Sequence, residues 1–442
     1  MRSGRRRMTR KGARTHPHWY RRLFRTGEVP ADLAAVTDID SAAEVDPQAA
    51  DLTPAAVDAI WEACQNLYRT GVYPLLSLCL RRRGKIVLNR SLGHARDGVV
   101  ATVDTPICLF SASKSVSAVL VHLLAQQGRI NLLDPVSYYI PGFAAKGKGG
   151  ITLLQLLTHR GGIAAVPDDV ELDLLYDHDA ALRMICETEP TDHQGREQAY
   201  HALTTGFIFN ELIRLTTGLN AQQYLNRYLR KPMGMRYFRY GLTAREQAAV
   251  AINTTTGLDS DLVNRALASI LGAHPDKAVE MTNDPRFYGA VIPSANLFAT
   301  AEEVSRFYQM LLQHGRWQDT QILDPLTVHR ATHSQGAFAL DKSLKLPMRY
   351  SAGFMLGGSP VGIYGRDTQY AYGHLGYANI FCWADPQRDI AVSLMNTGKL
   401  AVGPHLKALP LLLDAISTQC PPVVDREGDE PRYRGRGATS RG

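Results

Sequence analysis

Six cysteines, Cys64, Cys79, Cys108, Cys186, Cys382 and Cys420, are scattered without a single CxxC pair. This spacing argues against a structural zinc site and against a disulfide framework; it fits a reducing compartment, so a cytoplasmic location is expected. No run reaches the roughly 18–20 apolar residues that a spanning helix needs, and the longest candidate, after Ser111, is interrupted by His122. Acidic residues are missing from positions 1–27, which hold ten Arg or Lys; the rest of the chain sets 39 basic against 42 acidic residues. The formal charge of +7 therefore belongs to an N-terminal arm, and the body gives no reason to expect an acidic partner. No apolar segment follows the arm as a secretory signal would require. No serine stands in a GxSxG, which leaves an α/β-hydrolase elbow unsupported. His329 and His333 are four apart, but Arg330 stands where a zinc-protease HExxH needs Glu. A Walker-type phosphate loop is also missing.

What is present looks like a soluble globular enzyme: 45% hydrophobic and 21% charged residues in 442. Residues 1–50, Arg-rich and then rich in Ala, Asp and Pro, read as a flexible extension. Trp19, Tyr20 and Phe24 could stack on bases, but with no fold beneath them nucleic-acid binding is not expected. A folded domain is expected over 51–420, with a mostly helical middle at about 128–300, and a disordered polar tail over 421–442. The spacing of Val57, Ile60, Trp61, Cys64 and Leu67 predicts a helix. Pro74–Leu80, the turn Arg83-Gly84-Lys85 and Ile86–Leu88 predict a β-hairpin, and Thr105–Phe110 a third strand. Six acids between 168 and 179 (Asp168, Asp169, Glu171, Asp173, Asp177, Asp179) could suggest paired-carboxylate glycosidase chemistry, but a solvated face is the simpler reading. Tyr200 opens a segment with Leu203, Phe207, Ile208, Leu212 and Leu215 on one face and Gly218 as its stop. Thr300-Ala301-Glu302-Glu303 is a capping box ahead of Val304, Phe307, Tyr308, Leu311 and Leu312, with Gly315 closing. Strands are expected at Tyr350–Phe354, Gly376–Trp383 and Ile390–Met395, then a helix carrying Leu406, Leu409, Leu412 and Leu413. Sheet, helical middle and sheet again make an α+β fold.

The candidate for chemistry is Ser111-Ala112-Ser113-Lys114, at the mouth of an apolar stretch, Val116–Ala125, that ends near Gly128. A helix apolar on nearly every side is a buried one, and residues three apart share a face. A lysine there is costly to bury. The first turn of a helix offers unpaired N–H groups and a positive dipole end, both suited to an anionic oxygen. A serine hydroxyl becomes a useful nucleophile when a base takes its proton. Ser111/Lys114 is the one SxxK in the chain.

Three elements come in order: Ser111-Ala112-Ser113-Lys114, Tyr200-His201-Ala202 and His374-Leu375-Gly376. With Leu156–Gly162 and Gly373–Tyr377, they make the chain resemble the serine β-lactamase and penicillin-binding-protein superfamily over residues 50–420. Within it the resemblance is to the esterase-like group related to class C β-lactamases. The resemblance implies a β-lactamase-like fold, an antiparallel sheet flanked by helices with a helical subdomain. It also implies that Ser111 becomes acylated, that Tyr200 is the general base with its pKa lowered by the Lys114 charge, and that the Ser111 and Tyr377 N–H groups form the oxyanion hole. His374 and Gly376 would line the substrate wall, with Gly373 and Gly376 allowing close approach to the strand. No cofactor or metal is implied.

Two departures set the expected substrate. Ala202 replaces the Asn of Tyr-x-Asn, and His374 replaces the Lys of Lys-Thr-Gly. The lost amide and fixed cation are groups that would bind a substrate's amide and carboxylate. The expectation is a carboxylesterase acting on small or medium acyl esters, with a small-molecule ester as its partner. A D-amino-acid peptidase or β-lactamase-like enzyme, and a catalytically idle member with a binding or regulatory role, are the alternatives.

Overall fold

The computed structural model describes residues 13–14, 24–164, 172–271 and 274–423. Trp19, Tyr20, the acids Asp168, Asp169 and Glu171, and the tail from 424 lie outside the described residues, as does most of the basic arm.

The centre is an antiparallel sheet in the spatial order β6-β7-β8-β9-β2-β3-β1. The strands are β1 (Thr37–Ile39), β2 (Leu75–Arg82), β3 (Lys85–Arg96), β6 (Met355–Leu356), β7 (Tyr372–Gly376), β8 (Ile380–Asp385) and β9 (Ile390–Asn396). Two further strands, β4 (Ala339–Asp341) and β5 (Leu346–Met348), form a separate hairpin. Val99–Val100 pairs with the end of β3.

Alternation along the central strands divides the core in two. On β2, Leu75 and Cys79 enter one hydrophobic cluster, while Leu76, Leu78 and Leu80 enter another on the opposite face. On β9, Ala391 and Met395 join the first, and Ile390, Val392 and Leu394 the second. Helices α1 (Pro54–Tyr68) and α5 (His405–Gln419) cover the second face. Helices α2 (Ser113–Gln126), α3 (Thr204–Thr217) and α4 (Ala301–Leu312) contribute to the first. The two capping groups of α4 work as expected: Thr300 Oγ accepts from Glu303 N–H, and the Glu303 carboxylate accepts from Thr300 N–H. No helix among the described residues is long and apolar enough to cross a membrane.

Several expectations are corrected. The extension assigned to residues 1–50 is folded from residue 24 onward: Val29, Leu33 and Val36 are buried, and β1 pairs with β3 at the sheet edge. Arg25 is tied to Asp259 and Asp276, both at 2.7 Å. Thr105–Phe110 is not a strand of the main sheet; Ile107–Cys108 pairs with Phe298–Ala299 instead. Tyr350–Phe354 is a bend rather than a strand, with Ser351 N–H donating to Phe354 O. Gly353 causes it: its φ is +117°, and a Cβ there would sit 2.1 Å from that of Ala118, so the chain turns to pass against α2. Gly376–Trp383 contains a turn, Tyr377–Asn379, with Ala378 and Asn379 at φ +56° and +72°. Leu215 and Leu406 are exposed, so the buried faces of α3 and α5 are narrower than their leucines suggest. The described acids of the 168–179 cluster have structural work. Asp177 caps the helix His178–Glu187, Asp173 pairs with Arg286, and Asp179 with Arg214.

Candidate active site

Ser111 lies in a 3₁₀ turn, Phe110–Ala112, that runs directly into α2. Leu109 N–H donates to Leu297 O, anchoring the approach, and Phe110 takes φ +49°. Positive φ at a bulky residue costs of order 1–3 kcal/mol and persists where its surroundings impose it. Here the surroundings are identifiable: the Phe110 ring meets the Tyr377 ring edge-on at 5.6 Å, and the Lys399 Nζ lies 4.6 Å over its face. Beyond Ser111, α2 is buried from Ser113 to Leu124. Its serines find partners: Ser113 Oγ accepts from Leu297 N–H, Ser115 Oγ bonds Tyr308, and Ser117 Oγ donates to Pro293 O.

Lys114 is 6% exposed. Its Nζ lies 2.6 Å from Ala202 O, 3.0 Å from Ser294 O and 3.2 Å from Ser111 Oγ. No carboxylate is among these partners. A small cavity lined by Ala118, Leu157, His159 and Phe209 also abuts Lys114. Burial pushes its pKa well below the ordinary lysine value. Nζ donates to the two carbonyls, and the Ser111 hydroxyl completes its hydrogen-bonded shell.

Tyr200 precedes α3 in an irregular segment, and its ring lies 5.0 Å from Lys114 Nζ. The hydroxyl is buried and, among the described residues, lacks a partner in ordinary hydrogen-bond geometry, although Ser111 is near enough to favour its ionised form. Burial dominates and raises its pKa above the ordinary tyrosine value. The same desolvation that lowers the Lys114 pKa raises that of the phenol, and so opposes the lowering of the Tyr200 pKa expected from the Lys114 charge.

His374 lies on β7, 1% exposed, with its ring 6.0 Å from that of Tyr200. Its Nδ1 is 2.7 Å from Leu375 O, so this nitrogen carries the proton, and Nε2 is left as a buried acceptor without a partner among the described residues. Burial takes its pKa down to about 3, so it is neutral. The expected role of Gly376 is corrected in one respect. A Cβ there would sit 2.3 Å from Leu109 O, so the glycine admits the chain's own nucleophile loop. Tyr377 lies in the turn after β7, not on a strand.

Sequence reasoning missed three groups. His159 and His201 stack at 5.5 Å with their Nδ1 atoms 3.4 Å apart, and His159 also packs on Tyr200 at 4.8 Å. Ile163 N–H donates to His201 Nε2, which places the His201 proton on Nδ1, directed at His159. Burial pushes both imidazoles down, His201 to about 3. Asp341, fully buried at the end of β4, accepts from the N–H groups of Tyr200, Ser343 and Leu344 and from the Tyr350 hydroxyl. It is 141 positions from Tyr200, so no local pattern could have revealed it. Asp341→Ala leaves four donors unpaired, of which the Tyr200 N–H and the Tyr350 hydroxyl are buried. It is expected to cost about 2–4 kcal/mol in urea unfolding and, by releasing Tyr200, to lower kcat by about 10–100-fold. Among the described residues, no three His, Cys, Asp or Glu side chains are grouped to hold a metal.

A family model described as Beta-lactamase matches residues 57–415. The chain belongs to the beta-lactamase family. This family member is 26% identical over 312 residues to the esterase/beta-lactamase LipL of Mycobacterium tuberculosis, covering 68% of this chain and 71% of the relative. Among solved structures, it resembles a family VIII carboxylesterase at 26% identity with a TM-score of 0.70, covering 82% of this chain and 97% of that one. A penicillin-binding-protein homologue from Caulobacter crescentus shares the fold, with a TM-score of 0.72 at 24% identity over 83% of this chain and 98% of that one. The beta-lactamase family chain is a serine hydrolase with an α+β fold.

Proposed function

We propose that this serine hydrolase is a carboxylesterase that cleaves small or medium acyl esters through an acyl-enzyme on Ser111. The observation that carries the reading is the Lys114 amine, buried without a counter-charge, 3.2 Å from Ser111 Oγ. Lys114 Nζ accepts the Ser111 proton as Oγ attacks the ester carbonyl. The two carbonyls of Ala202 and Ser294 hold the resulting ammonium. The backbone N–H groups of Ser111 and Tyr377 receive the carbonyl oxygen as it becomes an oxyanion. Tyr200, protonated at rest, donates its proton to the leaving alkoxide, and Lys114 returns one to the phenolate. Water then attacks the acyl-enzyme with the same groups acting in reverse.

An ester substrate fits the wall. Neutral His374 replaces a fixed cation, and Ala202 carries no amide to recognise a peptide. The names of LipL and of the family VIII carboxylesterase support the same choice. A cytoplasmic location fits the six unpaired cysteines. A D-amino-acid peptidase or β-lactamase-like activity is the second reading, favoured by the beta-lactamase part of the LipL name. The deciding measurement sets p-nitrophenyl esters of increasing chain length against nitrocefin. Butyrate hydrolysis well above nitrocefin hydrolysis is expected, and the reverse order overturns the ester assignment. In the same assay Tyr200→Phe is expected to lose about 10²–10⁴-fold in kcat. Undiminished activity would remove the tyrosine from the mechanism.

A further inference from the structure

Lys399 is a second lysine buried close to Ser111, 1% exposed and outside every sequence motif. It ends a two-residue strand, Gly398–Lys399, that pairs in parallel with Thr254–Thr255. Its Nζ lies 3.0 Å from Asn396 O, 3.5 Å from Asn396 Oδ1 and 3.4 Å from Tyr377 O, and no carboxylate is among these partners. Asn396 Nδ2 in turn donates to Ala378 O and Asn379 O, both at 2.9 Å. Three successive carbonyls of the turn after β7 are thus held by two residues of one short segment. The same Nζ lies 4.6 Å over the Phe110 ring, and Phe110 directly precedes Ser111. A desolvated cation over an aromatic face is attracted by the negative face of the ring. Lys399 therefore touches both residues that fix the proposed oxyanion donors, the Tyr377 turn and the strained residue before Ser111.

We propose that Lys399, held by Asn396, is a positioning residue for the oxyanion site. Its ammonium clamps the Tyr377 turn and the Phe110 ring so that the Ser111 and Tyr377 N–H groups converge on one oxygen, and its charge favours the oxyanion. The proposal rests on the acyl-enzyme reading above. Burial lowers the Lys399 pKa to about 7, so the clamp carries its charge below that pH and loses it above. A thiol and a phenol bear on it, and burial keeps both protonated near neutrality. Cys108, whose thiol interacts with Lys399, is pushed up to about 12, as is Tyr377. Asp276, which faces Tyr377, is paired with Arg25. The paired segment Thr254–Thr255 carries no ionisable side chain.

The test measures p-nitrophenyl butyrate hydrolysis at the isosbestic wavelength across pH for wild type, Lys399→Met, Lys399→Arg and Ser111→Ala. Wild-type kcat/KM is expected to fall as pH rises through about 7. Lys399→Met should lose about 10–100-fold in kcat, keep KM within about twofold, and lack that alkaline fall. Lys399→Arg, whose charge is fixed, should recover most of kcat while the fall stays absent. A merely structural lysine would not move the alkaline limb. Wild-type kcat, KM and pH profile in Lys399→Met would overturn the proposal. If the arginine does not fit and that variant unfolds in a melting experiment, the limb of Lys399→Met alone decides. Failure of the underlying reading looks different: Ser111→Ala would then hydrolyse the ester as well as wild type.

Discussion

Ser111→Ala is expected to lower kcat/KM for a p-nitrophenyl ester by about 10⁴–10⁶-fold and to abolish covalent labelling by a fluorophosphonate. The loss is this large because, among the described residues, no other serine hydroxyl meets the Lys114 amine. Ser111 Oγ is the hydroxyl beside the Lys114 amine, and the neighbouring serines of α2 are committed to Leu297, Tyr308 and Pro293. Stability should hardly change, since Ser111 is half-buried and its side chain holds up no part of the core. Mass spectrometry of the labelled protein is the direct check. A folded wild type that takes no label would make the chain an idle member of its family, and labelling that survives in Ser111→Ala would move the nucleophile elsewhere.

Lys114→Met carries the second large effect, and it separates catalysis from folding. Losing the base should lower kcat by about 10³–10⁴-fold. Two stability effects then oppose each other. The carbonyls of Ala202 and Ser294 lose their donor, at about 1–3 kcal/mol each, while the cost of keeping an amine out of water disappears. The net change in a denaturant titration is expected within about 2 kcal/mol of zero. The pH profile gives an independent reading. In the wild type the base must be unprotonated, so kcat/KM falls as pH drops through the depressed Lys114 pKa, far below the ordinary lysine range. A Lys114→Met enzyme that kept this acid limb would assign it to another group.

The pair Ser111/Lys114 was legible because it is local: three residues on a helix fix the contact, and a uniformly apolar helix announces burial. The hairpin β2–β3 and helices α1 and α4 were legible for the same reason, through alternation, turn residues and caps. Tyr200 was reached only through the order of three motifs, since nothing about its own neighbours marks it. Asp341, the His159–His201 pair, Asn396 and Lys399 were not legible. Their roles come from contacts between distant segments, and a buried lysine reads in sequence like an exposed one. The strand errors have a similar origin. Apolar residues at Tyr350 and Phe354 suggest a strand, but Gly353 must bend to clear Ala118. The turn after Gly376 uses Ala378 and Asn379 at positive φ, where the usual Asn-Gly signal is missing. Burial opposes the electrostatic expectation for Tyr200 by acting on both partners, and only the fold shows how complete that burial is.

The contact between Gly376 and the Leu109 carbonyl has a bearing on how such enzymes diverge. Two segments more than 260 positions apart in sequence behave as one mechanical part, since any side chain at 376 would push on the loop that presents the nucleophile. Exchanging the His374–Gly376 strand for that of a relative therefore transplants half a hinge. Specificity changes along this wall are easier at His374 and Leu375, where the backbone need not move, than at the glycine. The nucleophile loop and its facing strand would have to be inherited, or engineered, together.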